Sequence, residues 1–238
     1  MFYKTTIFFF LITTGVFSQN LDAIGTYKKI SYHNFDKMLA SQKQKDESMT
    51  KKINAVNEIV NELKYELIIK DSLAEYKELK KLKNDINNQS LNIARVFSGY
   101  KGPYYFNLNN NNILREKGKY LISKNLKDIK WNLSKESKII NGYKCYKATT
   151  TITVQGRRGV FERSVVAYYT PEINIPVGPD GFGGLPGLII KLENNKVITI
   201  LEKFNLNKKI KSIKIPKNKT HITEEQYSKI VKDLVENR

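Results

Sequence analysis

The stretch Pro171–Leu188, PEINIPVGPDGFGGLPGL, holds four of the chain's six prolines and five of its thirteen glycines. Proline fixes φ and gives up a backbone donor, while glycine reaches φ values closed to other residues. Such density predicts a backbone held to one irregular path, not a flexible linker. Two mechanical outcomes are open. Gly183, Gly184 and Gly187 let the backbone press against another element while Phe182 and Leu185 plug a core, or successive amides form a concave anion site. No Lys-Ser/Thr pair follows the glycines as in a phosphate loop, which favours the first.

Around this segment the text reads as strands and turns. Ile24 to Asn34 alternates, with Ile24, Thr26, Lys28, Ile30 and Tyr32 on one side. Lys64 to Ile69 is extended, and Lys119–Lys124 and Ile129–Leu133 are further strand candidates, the latter carrying the single tryptophan, Trp131. Asn141-Gly142 is a hairpin signal. Beyond it Tyr146, Ala148, Thr150, Ile152 and Val154 share one face, and the chain returns through Gly156-Arg157-Arg158-Gly159 into Val160–Tyr169. A last hairpin joins Gly187–Glu193 to Lys196–Phe204 through Asn194-Asn195. Strands so spaced predict an antiparallel meander.

The period lengthens in two places. Met49, Ile53, Val56, Val60 and Leu63 recur at helical steps within a helix expected near 36–62, and Tyr227, Ile230, Val231 and Leu234 do so at the C-terminus. There Thr223 and Gln226 stand in the capping-box arrangement. Residues 72–83 favour helix by composition and strand by their neighbours. Polar stretches near 84–95 and 107–112 read as mobile. The expected fold class is mainly β with α (α+β): an antiparallel, strongly curved meander sheet with an N-terminal helix on or beside it and a short C-terminal helix. Such an architecture is similar to the half-barrels of periplasmic lipoprotein carriers.

Met1–Lys4 and the compact apolar run Thr5–Phe17 form the pattern of a secretory signal, with cleavage between Ser18 and Gln19. The run is too short to span a bilayer, which takes about 20 residues. The expectation is a signal peptide over 1–18 and a single β-rich domain over 19–238, exported to the periplasm, the outer membrane or beyond the cell. Forty-one Lys+Arg against 23 Asp+Glu leave a formal charge of +18. The lysines are scattered rather than gathered into a stripe, which argues against nucleic acid and leaves an anionic surface, such as lipopolysaccharide or acidic glycan, as a partner.

Chemistry is narrowed by scarcity. One cysteine excludes an internal disulfide and a multi-cysteine zinc site, and two histidines, His33 and His221, leave no histidine-rich metal centre. No cofactor or metal is expected. Neither Gly-x-Ser-x-Gly nor His-Glu-x-x-His occurs. Cys145 is the one nucleophile candidate, and it needs a histidine nearby. Strict alternation sets it with Tyr143 and Lys147, opposite the apolar face, unless a bulge intervenes. Glu172 and Asp180 flank the Pro/Gly segment and read as solvated loop charges. Arg157-Arg158 could fork onto a carboxylate or phosphate or simply keep a hairpin soluble. Asp71-Ser72-Leu73 resembles an Asp-Ser/Thr-hydrophobic O-glycosylation pattern.

Gly184-Leu185-Pro186-Gly187-Leu188-Ile189 reads GLPGLI, the hexapeptide of the GLPGLI family of exported Bacteroidota proteins, which this chain resembles. The likeness extends to Ala167-Tyr168-Tyr169-Thr170, Ile175-Pro176, Gly178-Pro179, and Ile140–Cys145 with Lys147-Ala148-Thr149, although Tyr168 stands where the family more often has tryptophan. It implies an exported, strand-rich domain with no established activity and no functional residues to carry over. Three expectations follow: a non-catalytic envelope protein binding an apolar or peptide ligand, or a partner protein, on the sheet's concave side; a hydrolase assembled from loops; or a structural accessory of an outer-membrane assembly.

Overall fold

The computed structural model describes residues 22–31, 47–79, 88–156 and 159–236. In chain order these form β1 (Asp22–Ser31), α1 (Glu47–Glu62), β2 (Lys64–Lys70), β3 (Leu73–Glu78) and α2 (Asn88–Phe97). β4 (Tyr104–Asn107), β5 (Asn112–Lys117), β6 (Tyr120–Asn125), β7 (Asn132–Ile140), β8 (Tyr143–Gly156) and β9 (Gly159–Thr170) follow. The chain continues through β10 (Leu188–Asn194), β11 (Val197–Leu206), β12 (Thr220–Thr223) and α3 (Glu224–Glu236). The signal segment, the first part of the expected N-terminal helix, His33 and Arg157-Arg158 lie outside the described residues.

All twelve strands join one sheet in the order β12-β6-β5-β4-β3-β2-β1-β11-β10-β9-β8-β7. Two meanders, β1–β6 and β7–β11, therefore lie side by side, seamed by the antiparallel pairing of β1 with β11. The mainly β class holds, but the expectation of an antiparallel, strongly curved meander is corrected in two respects. β12 pairs with β6 in parallel, from Thr220 opposite Tyr120 to Thr223 opposite Ser123, and the sheet is open, neither closed nor strongly curved. The physical reason is the connection: residues 207–219 carry the chain without a strand from β11 to the far edge, so no hairpin turn imposes an antiparallel return.

Local chemistry explains most elements. Asn141 and Gly142 both adopt positive φ (49° and 86°), as a two-residue hairpin turn requires between β7 and β8. Residues Leu73–Glu78 settle as strand because β2 and β4 pair with them from both sides, which overrides their helical composition. Residues 88–95, expected as polar and mobile, belong to α2, where Ala94 is buried and Arg95 grips Glu78 of β3 (2.7–3.1 Å). The C-terminal capping box is present: the Thr223 amide donates to Gln226 Oε1 (2.8 Å) and the Gln226 amide to Thr223 Oγ1 (3.2 Å). No described helix is long and apolar enough to cross a membrane.

β1 alternates as expected, and the face it buries is the complementary one: Ala23, Gly25, Tyr27 and Lys29. These meet Tyr65, Leu67 and Ile69 of β2, with Val56, Val60 and Leu63 of α1 and its end in the same core. In the second meander the core is mostly aliphatic, with Val165, Ala167, Leu188, Ile189, Ile190 and Leu192 buried. Three consecutive buried residues at Leu188–Ile190 break the two-residue period because β10 bulges there, Ile189 facing Tyr169 and Lys191 facing Tyr168.

Candidate functional site

The Pro/Gly segment is a folded corner. Ile173, Ile175 and Val177 are buried on its incoming arm, and Phe182 and Leu185 on its outgoing arm. Its backbone groups pair internally: the amides of Gly184, Leu188 and Ile189 donate to the carbonyls of Pro176 (2.9 Å), Ile173 (2.9 Å) and Val177 (3.1 Å). A side chain cannot be added at two of its glycines without collision. A Cβ on Gly187 would lie 2.0 Å from the Thr170 carbonyl oxygen, and its φ of +145° excludes most residues; a Cβ on Gly183 would lie 2.5 Å from the Pro176 carbonyl oxygen. Trp131 Nε1 donates to the Gly183 carbonyl (2.9 Å), and Tyr27 of β1 donates its hydroxyl proton to the Ile189 carbonyl (2.7 Å). Leu185, Leu188 and Ile189 of the hexapeptide are buried in the core.

At the tip of this corner Asp180 adopts a left-handed φ of 55° and turns its carboxylate inward. It receives Lys29 Nζ at both oxygens (2.7 and 2.8 Å), and Thr199 Oγ1 donates to it as well (3.3 Å). Lys29 is fully buried, donates a further bond to the Ser98 carbonyl (3.1 Å), and lies 4.7 Å from the centre of the Tyr65 ring and 5.8 Å from that of Tyr100. An unpaired ammonium in such a place costs several kcal/mol. Burial pulls Lys29 below its ordinary lysine pKa, while Asp180 opposes that shift. Asp180 is thus not the solvated loop charge that the sequence suggested. Sequence reasoning passed over Lys29 entirely, although its parity with Ala23, Gly25 and Tyr27 was a usable signal.

Beside Asp180 opens a cleft with two adjoining lobes of about 310 Å³ and about 370 Å³. β8 supplies Ile152 and Thr153, the corner Asp180 and Phe182, and β4–β6 supply Tyr104, Arg115 and Lys124. Lys101, Arg115 and Glu224 line both lobes, and α3 closes the second with Tyr227 and Val231. The topology explains the third wall. β8 and β9 pair with each other as far as Gly156 and Gly159, while β7 stops opposite Thr149 and β10 opposite Val165, so their hairpin runs past both neighbours. Arg115 is buried, donates to Glu224 Oε1 (3.0 Å) and sits 5.1 Å from the Tyr227 ring centre. Desolvation together with the charge of Arg115 holds the Lys101 ammonium below its usual range, and desolvation lowers Lys124.

The other sequence candidates do not converge on this cleft. Cys145 is fully buried on β8, its Sγ 3.5 Å from the Tyr143 carbonyl oxygen, and burial pushes its thiol up to about 11. That leaves little thiolate at neutral pH. His221 lies on β12, at the opposite edge of the sheet from β8. Glu172 accepts the Lys144 amide (3.0 Å) on the surface. Ser72 sits in the β2–β3 turn, where its Oγ accepts Asn109 Nδ2 (3.1 Å). Among the described residues no group of His, Cys, Asp and Glu is arranged to hold a metal.

The fold has relatives among solved structures. Two structures of PNGF-II, in space groups P21 and C2, align with TM-scores of 0.52 and 0.51 at 13% and 15% identity, over 89% of this chain and 33% and 32% of theirs. The chain thus spans about a third of the length of PNGF-II, and the likeness is one of fold. Residues 158–191, from the start of β9 through the hexapeptide, match the model of a family described as "Protein of unknown function (Porph_ging)". No curated protein matches the chain.

Proposed function

We propose that the protein is an exported, non-catalytic component of a bacterial cell envelope that binds a ligand or a segment of a partner protein in the cleft between the β8–β9 hairpin, β5 and α3. The observation that carries this reading is the cleft itself, whose lobes reach the ~300 Å³ at which ligand sites begin. Its walls mix Tyr104, Phe182 and Ile152 with Lys101, Arg115 and Glu224, a lining suited to a peptide or polar ligand rather than to an acyl chain. The buried, weakly acidic thiol of Cys145 speaks against cysteine nucleophilic catalysis. Export and a place in the GLPGLI family rest on the signal pattern at 1–18 and on the hexapeptide, with which the family-model match over 158–191 is compatible.

Screening the mature chain against a diverse library of fragments and short peptides by amide NMR tests the binding reading. Shifts concentrated at Lys101, Ile152, Thr153 and Tyr227 are expected; hits that perturb only other surfaces contradict it. Mass spectrometry of the exported protein tests the address, with Gln19 expected as its first residue.

A further inference from the structure

One buried ammonium touches two of the segments that wall the cleft. Lys29 Nζ donates to both carboxylate oxygens of Asp180, at the tip of the Pro/Gly corner, and to the carbonyl of Ser98, just past the end of α2. The residues that follow these partners line the first lobe: Gly181 and Phe182 beyond Asp180, Gly99 and Lys101 beyond Ser98. Ser98 is anchored from its own side. Its hydroxyl accepts from Tyr65 (3.0 Å) and from the Tyr100 amide (3.3 Å), and donates to the Arg95 carbonyl (2.8 Å). The corner tip is therefore the wall whose place depends on Lys29. Packing alone does not ask for a lysine there, since apolar side chains of similar volume often hold a core as well as a buried ion pair does. What they lack is direction: the three donors of the ammonium meet three acceptors, two on one wall and one on the other.

Resting on the binding reading above, we infer that Lys29 is a positioning residue of the cleft: it ties the corner tip to the loop after α2, and so sets the opening of the first lobe and what can enter it. Lys29 is fully buried and does not itself meet a ligand; it acts through Asp180 and Ser98. It lies on β1, the strand that seams the two meanders, and the tie joins one loop from each half. The second lobe is built differently. Lys117, Val154, Tyr227, Ser228 and Val231 line it without lining the first, and Lys29 hydrogen-bonds none of these. Loss of the tie should open the first lobe and leave the second as it is. A ligand that touches both the tip and the loop gains from a gap already set, because binding then need not order either segment.

The test is Lys29→Met with Asp180→Asn, which removes both charges while asparagine keeps the left-handed φ of position 180. The soluble spin probe 4-hydroxy-TEMPO reports how open each lobe is through the relaxation it adds to backbone amides. In the folded double variant that relaxation should rise about two-fold or more at Gly99 and Gly181 and stay level at Val154 and Val231. Unchanged relaxation at Gly99 and Gly181 overturns the inference. So does a rise spread evenly over the chain, which would make Lys29 a residue of the fold at large. If the double variant does not fold, Asp180→Asn alone, which leaves Lys29 an acceptor, must show the same local rise in smaller degree, and its absence overturns the inference equally. Fragments from the screen that shift Gly99 and Gly181 in the wild-type chain should lose their effect in the double variant, while those that shift Val154 and Val231 keep theirs. The spin-probe result needs no bound ligand. A screen without cleft hits therefore removes the binding reading and leaves the tie standing, whereas a level probe signal with undiminished first-lobe hits removes the tie alone.

Discussion

The two meanders share one sheet but are held together by different physics. In β1–β6 the interior is rich in tyrosine: Tyr65 stacks on Tyr76 (5.7 Å between ring centres, 13° between planes), Tyr27 meets Tyr76 edge-on, and a charged lysine lies beside Tyr65. In β7–β11 the interior is mostly aliphatic, and precision comes from backbone shape at the Pro/Gly corner. The first region depends on a few polar partners that must be present; the second depends on side chains that must be absent. Both conditions meet at Asp180, which the corner presents and Lys29 requires.

Removing that meeting point should have the largest effect. Asp180→Ala leaves Lys29 buried without its counter-charge and should cost about 3–5 kcal/mol, read by urea unfolding. The double variant Lys29→Met with Asp180→Leu should recover most of that loss. If Asp180→Ala costs less than 1 kcal/mol, the distinction between the halves dissolves. The corresponding test in the second meander is Gly187→Ala, where φ and the Thr170 carbonyl both forbid a methyl group; about 3 kcal/mol is expected. Gly142→Ala is its control, since that turn glycine has open space around it and only its φ of 86° resists, at about 1 kcal/mol. Equal costs at the two glycines would show that close packing at the corner is not what matters.

The smallest effect sits on the seam. Glu202 is the extra residue where the β1–β11 register shifts, and it bonds Lys64 (2.6 Å) and lies 3.4 Å from Lys28. Partial burial pushes its carboxyl up, but the two lysines outweigh that and hold it below the ordinary glutamate range. A depressed folded pKa means the contribution is present above the unfolded value near 4.3 and fades as pH falls through the folded one. Glu202→Gln should therefore lower stability by ~0.5 kcal/mol at pH 7 and by nothing at pH 2, as thermal melts across that range would record.

The legibility of the sequence divides along the same line. Local signals carried the second meander and the C-terminal cap: Asn141-Gly142 as a turn, Tyr146–Val154 as an alternating strand, the corner as an irregular folded path, and Thr223 with Gln226 as the cap of α3. Each needs only neighbours in the chain. The first meander was harder because its decisive contacts are remote. Lys29 meets a residue 151 positions away, and nothing near either one announces the pairing. The strand at 73–78 was ambiguous because its composition favours helix and only flanking strands decide it. The parallel β12 was missed because residues 207–219 carry no signal of where they lead. The cleft was invisible for the same reason, since Lys101, Arg115, Lys124 and Asn194 line one cavity although Asn194 lies far from the others both in the chain and in the strand order.

Native-state hydrogen exchange at the amides of Gly184, Leu188 and Ile189 tests most directly whether the Pro/Gly corner is a rigid structural joint fastened through Asp180. In the wild-type chain these three should exchange only through global unfolding, as slowly as the central amides of β1 and β2, and in Asp180→Ala all of these sites should lose protection together. Exchange within minutes at the corner, with β1 and β2 still protected, would contradict it.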